Sequence, residues 1–239
     1  MFTRYFGVVK PALTICCVLC TLAVALNGSA APPAASTPSP PVPDHASIPQ
    51  RLARDAGRND LNYSERGAWR GILHWPAQCE SSFTYPDANF GGIQFYQLGN
   101  NDYLAMVICT LGTYQGSQVF IRIHPYGRLG QVRTILLKFA VLKEDGESEL
   151  LHIDKTNQPW GVAEFQPATR HLTLLDRFRG VGDCGIWSVY AFPDHRTKLI
   201  AARAKLTCDG QKVNQPATWP HVTHRIAANR TIVPQDAAH

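Results

Sequence analysis

Much of the chain after residue 90 alternates between apolar and polar positions, with the period of two that is typical of β-strands. Segments rich in Val, Ile, Leu, Tyr and Phe, separated by Gly, Asn, Asp and Pro, predict eight strands. These cover residues 92–98, 103–111, 117–125, 134–142, 161–167, 171–178, 186–192 and 198–208. Helical spacing is confined to residues 47–58, where Ser47 can cap a short helix with Pro49 in its first turn. The pattern therefore predicts an all-β fold, an antiparallel meander that forms a sandwich or a barrel-like sheet.

The last two predicted strands form a hairpin that places two cysteines opposite each other. With the turn centred on Arg196, Cys184 faces Cys208 on the mostly apolar side of the hairpin. These are two of the four cysteines that lie outside the N-terminal segment, and an even number in an exported chain favours disulfides. The remaining pair is then Cys79 and Cys109. The four thiols lack the closely spaced pairs of zinc sites, so we predict two disulfides, no metal site and no cofactor.

The first 31 residues have the pattern of a secretory signal peptide. Arg4 and Lys10 precede an uncharged apolar run over residues 11–26, which is shorter than the roughly 20 residues that a membrane-spanning helix needs. Small residues follow and predict cleavage after Ala30 or Ala31. We therefore expect a periplasmic or secreted protein with no stable membrane span after cleavage; an uncleaved anchor is the alternative.

Composition divides the rest of the chain into four segments. Residues 32–46 begin with a proline-rich, uncharged stretch, which predicts an extended and disordered linker. A short helical or irregular lead-in is expected over residues 47–62, the all-β domain over 63–226 and a flexible tail over 227–239. The predicted domain has a normal size for one hydrophobic core.

The charge balance bears on the choice of partner. The formal net charge is +5, and 23 Lys and Arg residues are interspersed with 18 Asp and Glu residues. Domains that bind nucleic acids concentrate their basic residues in a patch. No nucleic-acid partner is therefore expected.

Several motifs in the β-rich part of the chain occur together in a known family. They are WPAQCESSF from residue 75, CTLGTYQG from residue 109, FRGVGDCGIWSVYAF from residue 178, ARAKLTCDG from residue 202, and Trp219-Pro220. Over residues 69–222 the chain resembles the exported bacterial proteins grouped as domain of unknown function eleven seventy-six. The resemblance implies export and a shared fold, and it brings no established activity or catalytic residue. One departure is Thr110-Leu111, where family members often carry Trp or a similarly bulky residue.

Two carboxylates are the first candidates for catalysis. Asp183 and Asp209 flank the cysteines of the hairpin, and two neighbouring carboxylates can serve as an acid and a base, here with Arg179 beside them. Each also lies in a turn dipeptide in which Asp commonly hydrogen-bonds the backbone, so a structural role is the preferred interpretation. The GVGDCG segment from residue 180 is followed by a strand and lacks the helix of a dinucleotide site. The nine histidines form no metalloprotease or nucleophile motif and are expected to be scattered and solvated.

The amphipathic face of the C-terminal hairpin is the candidate binding surface. The predicted register pairs Trp187 with Lys205 and Val189 with Arg203 on this face. An exposed tryptophan beside cations is typical of contact surfaces, and cation–π packing within the domain is the structural alternative. We therefore predict a non-catalytic envelope module, of a binding, inhibitor or immunity type, whose partner is an envelope protein or a glycan. Two alternatives stay open: an envelope hydrolase that uses the two carboxylates, and a carbohydrate-binding module that uses exposed aromatic residues.

Overall fold

The computed structural model describes residues 47–84, 87–127, 130–145, 148–210 and 215–222, and the predicted signal peptide, linker and tail lie outside the described residues. Three α-helices precede ten strands in the described part of the chain. The helices are α1 (Ile48–Asp55), α2 (Tyr63–Leu73) and α3 (Ala77–Ser82), and the strands are β1 (Ile93–Gly99), β2 (Asp102–Leu111), β3 (Gly116–Tyr126), β4 (Gln131–Leu136), β5 (Phe139–Asp145), β6 (Ser148–Thr156), β7 (Trp160–Gln166), β8 (His171–Arg177), β9 (Gly185–Ala191) and β10 (Lys198–Lys205). Within the same ranges, none of the helices is both long enough and apolar enough to cross a bilayer.

Eight of the strands form one antiparallel sheet, in the order β1-β2-β3-β7-β8-β9-β10, with β4 also paired to β3. The long strand β3 pairs with β4 along its C-terminal half and with β7 only through Gly116 and Ser117. Strands β5 and β6 form a separate hairpin. The predicted all-β, antiparallel fold is confirmed, and the described strands do not close into a barrel.

Three apolar clusters hold the layers together. Helices α1 and α2 cover one face of β1–β3, where Trp69 packs against Phe95 with ring centroids 4.5 Å apart. On the other face, Phe120 packs against Phe139, which in turn packs against Tyr190 of β9. A third cluster packs the β5–β6 hairpin against β9 and β10. The β1–β4 and β7–β10 parts of the sheet therefore share a core, as the two layers of a sandwich do.

The sequence pattern predicts the helix that follows Ser47, which is present as α1, but it misses α2 and α3. The buried positions of α2 are Arg66, Trp69 and Leu73, so a cation interrupts the apolar spacing. Arg66 is fully buried because its guanidinium donates hydrogen bonds to Glu80 of α3 (2.9 Å) and to the carbonyl of Gly91 (2.9 Å). A charge that is neutralised and hydrogen-bonded in this way can occupy a core position.

One predicted strand is wrong and one observed strand was not expected. The apolar run over residues 134–142 is two strands, β4 and β5, separated at Leu137 and Lys138, and β6 has no predicted counterpart. At the break the amide of Leu137 donates to the carbonyl of Phe120 (2.9 Å). Leu137 and Phe139 enter the same core cluster, so the run stays apolar where the chain leaves the sheet.

The β9–β10 hairpin is present, but the predicted position of its turn is wrong. Asp194 and His195 both have positive φ angles, 44° and 64°, and the amide of Arg196 donates to the carbonyl of Pro193 at 2.9 Å. Two residues with positive φ at the tip of a hairpin define a type I′ turn, which sets the register of both strands. A bulge at Ile200 then shifts the pairing by one residue.

The observed register differs by two residues from the predicted one. Trp187 pairs with Arg203 instead of Lys205, and Val189 pairs with Ala201 instead of Arg203. A shift of two residues keeps these side chains on their predicted face, because side chains alternate with a period of two. Between the turn and the bulge the shift is three residues, so Leu199 packs against the core and Ile200, predicted on the apolar face, is 40 % exposed.

Both predicted disulfides are present. Cys79 and Cys109 have Cα atoms 4.4 Å apart, and Cys184 and Cys208 have Cα atoms 5.0 Å apart. Because β10 ends at Lys205, the second bridge is formed by the chain beyond the paired strands and not by a facing pair within them. The connectivity is confirmed, and the register from which it was predicted is wrong.

Candidate functional site

The outer face of β7–β10 presents a row of side chains that runs directly across four strands. Val162 pairs with Leu175, Leu175 with Trp187, and Trp187 with Arg203. The residues between them along each strand point into the core, so this row points away from it. Val162 is 38 % exposed, and the other three side chains are half-buried. The row is an apolar strip across three strands that ends at a cation.

A second row lies beside the first and is more polar. Glu164 pairs with Thr173, Thr173 with Val189, and Val189 with Ala201. Glu164 is exposed, whereas Val189 is buried. Val189 therefore lies on the predicted contact face without offering much accessible surface.

The loop between β8 and β9 makes one part of this face concave. Residues 180–182 of the loop and Pro216 border a cavity of about 400 Å³ whose lining includes Trp187 and Leu175, and we call this cavity the Trp187 groove. Val181, at its border, is 51 % exposed. Arg177 also lines the groove, and its Nε is buried without a hydrogen-bond partner among the described residues. The groove thus combines exposed apolar surface with an unpaired N–H donor.

The two predicted contact cations are engaged at the far edge of this face. Arg203 Nη1 donates to the carbonyl of Trp219 (2.7 Å), and the backbone at Arg203 forms a β-bridge with His221. Lys205 Nζ lies 2.9 Å from both carboxylate oxygens of Asp209. Within the described ranges, no cation lies over the Trp187 ring. Trp187 is therefore the open part of the predicted surface, while Arg203 and Lys205 take part in internal contacts.

The first candidate carboxylate, Asp183, lies next to the groove at the Cys184–Cys208 disulfide, a region that we call the disulfide corner. Asp183 is fully buried, and its carboxylate accepts hydrogen bonds from Arg179 Nε (2.7 Å) and from the amide of Gly210 (2.6 Å). The hydrogen bond from Arg179 outweighs the effect of burial and holds the pKa of Asp183 well below its usual range. Asp183 is therefore an anion that joins the β8–β9 loop to the chain after Cys208.

The three predicted catalytic candidates form one charge cluster. Asp183 and, to a smaller extent, Asp209 raise the pKa of Arg179. The donor atoms of Asp183, Cys184 and Cys208 also lie within 4.8 Å of one another. Both sulfurs belong to the disulfide, and only thiolates are strong metal ligands, so this group is a poor cation site.

Two histidines that were expected to be scattered lie in contact. His195 Nδ1 is 2.8 Å from His124 Nε2, although the residues are 71 positions apart. Asp102 Oδ1 lies 3.5 Å from His124 Nδ1. Burial lowers the pKa of His124, and Arg122 acts in the same direction while Asp102 opposes it. The sequence carries one local signal for this pair, a histidine at a turn position that favours glycine.

A family model described as "Protein of unknown function (DUF1176)" matches residues 21–225, which include all the described strands and both disulfides. No curated protein and no solved structure matches the chain. The matched region contains the whole Trp187 groove and the disulfide corner next to it.

Proposed function

Because the chain belongs to the DUF1176 family, whose description states no activity, we propose from its geometry that it is a non-catalytic binding module of the cell envelope that holds a protein partner in the Trp187 groove. The observation that carries this proposal is the strip of Val162, Leu175 and Trp187, open to solvent beside the unpaired Nε of Arg177. Trp and Arg are the residue types that most often dominate the energetics of protein interfaces.

The chemistry of the groove favours a protein segment over a glycan. Val162, Leu175 and Val181 supply aliphatic surface without hydrogen-bonding groups, while two residues of the more polar second row line another part of the groove. Sugar hydroxyls buried against the three aliphatic side chains would lose their water without gaining partners there, which is unfavourable. An apolar side chain of a partner would instead be buried favourably, and a neighbouring carboxylate or carbonyl would interact with the charge of Arg177, which lines the groove. The expected occupant is a protein segment with an apolar residue next to a hydrogen-bond acceptor.

The environment of Asp183 at the disulfide corner supports a non-catalytic function. A general acid or base must come within hydrogen-bond distance of the proton that it transfers. Asp183 has no exposed surface, and its oxygens are already bound by Arg179 and Gly210. This environment supports a structural role for Asp183 and gives no support to the hydrolase alternative.

Location in the cell envelope rests on two observations. Disulfides persist in oxidising compartments, and the described part of the chain has two of them. The predicted signal peptide points to the same compartments. A rigid, disulfide-linked scaffold also suits a binding module, because little ordering is needed when the partner arrives.

The test is capture of a partner from periplasmic extract with the mature chain, followed by calorimetric titration of wild type and variants. Trp187→Ala should weaken binding about 30-fold or more, which corresponds to about 2 kcal/mol, and leave the melting temperature nearly unchanged. Trp160→Ala is the matched control, because Trp160 is 43 % exposed on β7 but does not line the groove.

Three outcomes would overturn the proposal. One is that Trp187→Ala and Trp160→Ala weaken partner binding equally. Another is that the mature chain captures a polysaccharide whose binding depends on Trp187. The third is a fully stable Asp183→Asn/Asp209→Asn variant that loses its cellular phenotype while Trp187→Ala binds normally, since that would favour the hydrolase.

A further inference from the structure

The contact between His124 and His195 joins two distant elements. His124 lies near the end of β3, and His195 lies at the tip of the β9–β10 hairpin. Their rings are perpendicular, with centroids 4.5 Å apart, and Nε2 of His124 lies 2.8 Å from Nδ1 of His195. The two nitrogens form a hydrogen bond in which one of them carries the proton, and both are directed into the same small region, which is open to solvent on the side of His195.

The position of His195 in the turn is a second observation. The turn has positive φ angles at Asp194 and His195, and a type I′ turn favours Gly at the second of these positions. A histidine there adopts a backbone conformation that L-residues rarely take, and its ring lies against His124. The hairpin tip is also anchored, because Thr197 Oγ1 donates to the carbonyl of Lys138 and Arg122 Nη1 donates to the carbonyl of Phe192 (2.9 Å).

A carboxylate lies near the other ring nitrogen of His124, where metal sites often place one. Asp102 Oδ1 lies 3.5 Å from His124 Nδ1, the nitrogen that points away from His195. Asp102 is held in turn by two hydrogen bonds from Arg122, at 2.9 Å and 2.7 Å. Histidines that bind metals almost always direct their second nitrogen to a carboxylate or carbonyl, which fixes the ring and increases its basicity.

We propose that His124 and His195 bind a divalent transition-metal ion of the Zn²⁺ class, with water completing the coordination. Neutral imidazole is a strong ligand for Zn²⁺, Cu²⁺ and Ni²⁺. Two nitrogens bound to Zn²⁺ at about 2.0–2.1 Å in a tetrahedral site are about 3.3 Å apart, so the pair must open by roughly half an ångström. The His195 side chain is exposed, so its ring can turn by this distance while the anchored backbone of the hairpin tip stays in place.

The charges around the pair are nearly balanced. Asp102 and Arg122 form an ion pair beside His124. Arg133 pairs with His124 across β3 and β4, and Asp194 and Arg196 flank His195 in the turn. Two acids and three cations therefore lie near the pair, and the one net positive charge is screened by solvent at this exposed hairpin tip.

The test uses the untagged mature chain, freed of metal with a chelator and titrated with Zn²⁺ by calorimetry and against a chelating indicator. Wild type should bind one Zn²⁺ and melt at a higher temperature when Zn²⁺ is present. His124→Gln and His195→Gln should each weaken binding at least tenfold and abolish the thermal shift. His152→Gln is the matched control, because His152 is exposed on β6, and this variant should bind as wild type does.

A positioning role for Asp102 gives a separate readout. Asp102→Asn should weaken Zn²⁺ binding about 10- to 100-fold while the far-ultraviolet circular dichroism spectrum stays native. The proposal is overturned if wild type binds no Zn²⁺ saturably, or if binding survives both His124→Gln and His195→Gln. Chelation should leave partner binding at the Trp187 groove unchanged, so failure of one proposal is distinguishable from failure of the other.

Discussion

Replacement of Arg66 by Met should destabilise the domain more than any comparable change of a surface arginine. Arg66 is fully buried, and it donates to Glu80, to the carbonyl of Gly91 and to the carbonyl of Ile108 (3.1 Å). Its guanidinium also lies 3.8 Å from the centroid of the Phe83 ring. These contacts hold α2 and α3 against the strands.

The magnitude follows from what the substitution leaves behind. Glu80 is only 12 % exposed and would keep one donor, Trp75 Nε1 at 3.0 Å. Removal of one member of a buried ion pair costs about 3–5 kcal/mol, because the other charge stays buried without its partner. For a domain of this size, the melting temperature should fall by roughly 10 °C. A second substitution, Glu80→Gln, should recover about 1–3 kcal/mol, because the residual group is then neutral.

The assay is urea denaturation of the disulfide-intact chain, with Arg70→Met as the matched control. Arg70 is exposed on the same helix as Arg66, so its loss should change the free energy of unfolding by less than about 1 kcal/mol. The reasoning is refuted if Arg66→Met unfolds within 1 kcal/mol of wild type, or if Arg70→Met costs as much.

The pH dependence of the same pair has a defined sign. Burial, the largest single effect, would raise the pKa of Glu80, but the hydrogen bond and the charge of Arg66, together with the hydrogen bond from Trp75, outweigh it and hold this pKa below its ordinary value. A carboxylate with a lowered pKa stabilises the folded state above its unfolded pKa of about 4.3, and this stabilisation is lost as the pH falls. The difference in stability between wild type and Arg66→Met should therefore narrow below about pH 4.

Three further predictions concern the disulfide corner and export. Asp183→Asn should lower the melting temperature at pH 7. Because the pKa of Asp183 is lowered in the folded state, the difference in melting temperature from wild type should shrink below about pH 4. A difference that calorimetry finds constant from pH 3 to 7 would contradict this. Replacing Cys184 and Cys208 by Ser removes a link across 24 positions and should lower the free energy of unfolding in urea by about 3 kcal/mol; a loss below 1 kcal/mol would argue against it. Intact-mass measurement of the exported protein should place its N-terminus at Ala31 or Pro32, whereas a retained Met1 would indicate an uncleaved anchor.

The secondary structure could largely be predicted because it depends on short-range patterns in the sequence. Alternation with a period of two identifies most of the strands, and Ser47 with Pro49 identifies the start of α1. The sequence at the start of helix α2 carries a similar signal. Asn62 accepts from the amide of Glu65 (2.9 Å), and Glu65 accepts from the amide of Asn62 (2.8 Å), which is a capping box three residues apart in the sequence.

The buried arginine illustrates where pattern reasoning stops. Arginine is almost never fully buried unless it is paired, so Arg66 is expected to be a surface residue as long as its partner is unknown. Glu80 lies on a different helix, and the carbonyl of Gly91 belongs to the chain before β1. No spacing in the sequence connects the three, because their contact depends on how the helices pack on the sheet.

By itself, the sequence determined most of the strand segments, the apolar face along most of their length and which cysteines pair, because these properties depend on neighbours along the chain and on a hairpin. Only the tertiary structure decided that Trp187 lies beside Leu175 on an open face and that His195 meets His124. Both contacts depend on the order of strands and on the exact turn, and a one-residue change in a turn alters every cross-strand neighbour. Sites built across strands therefore emerge only when the sheet is assembled.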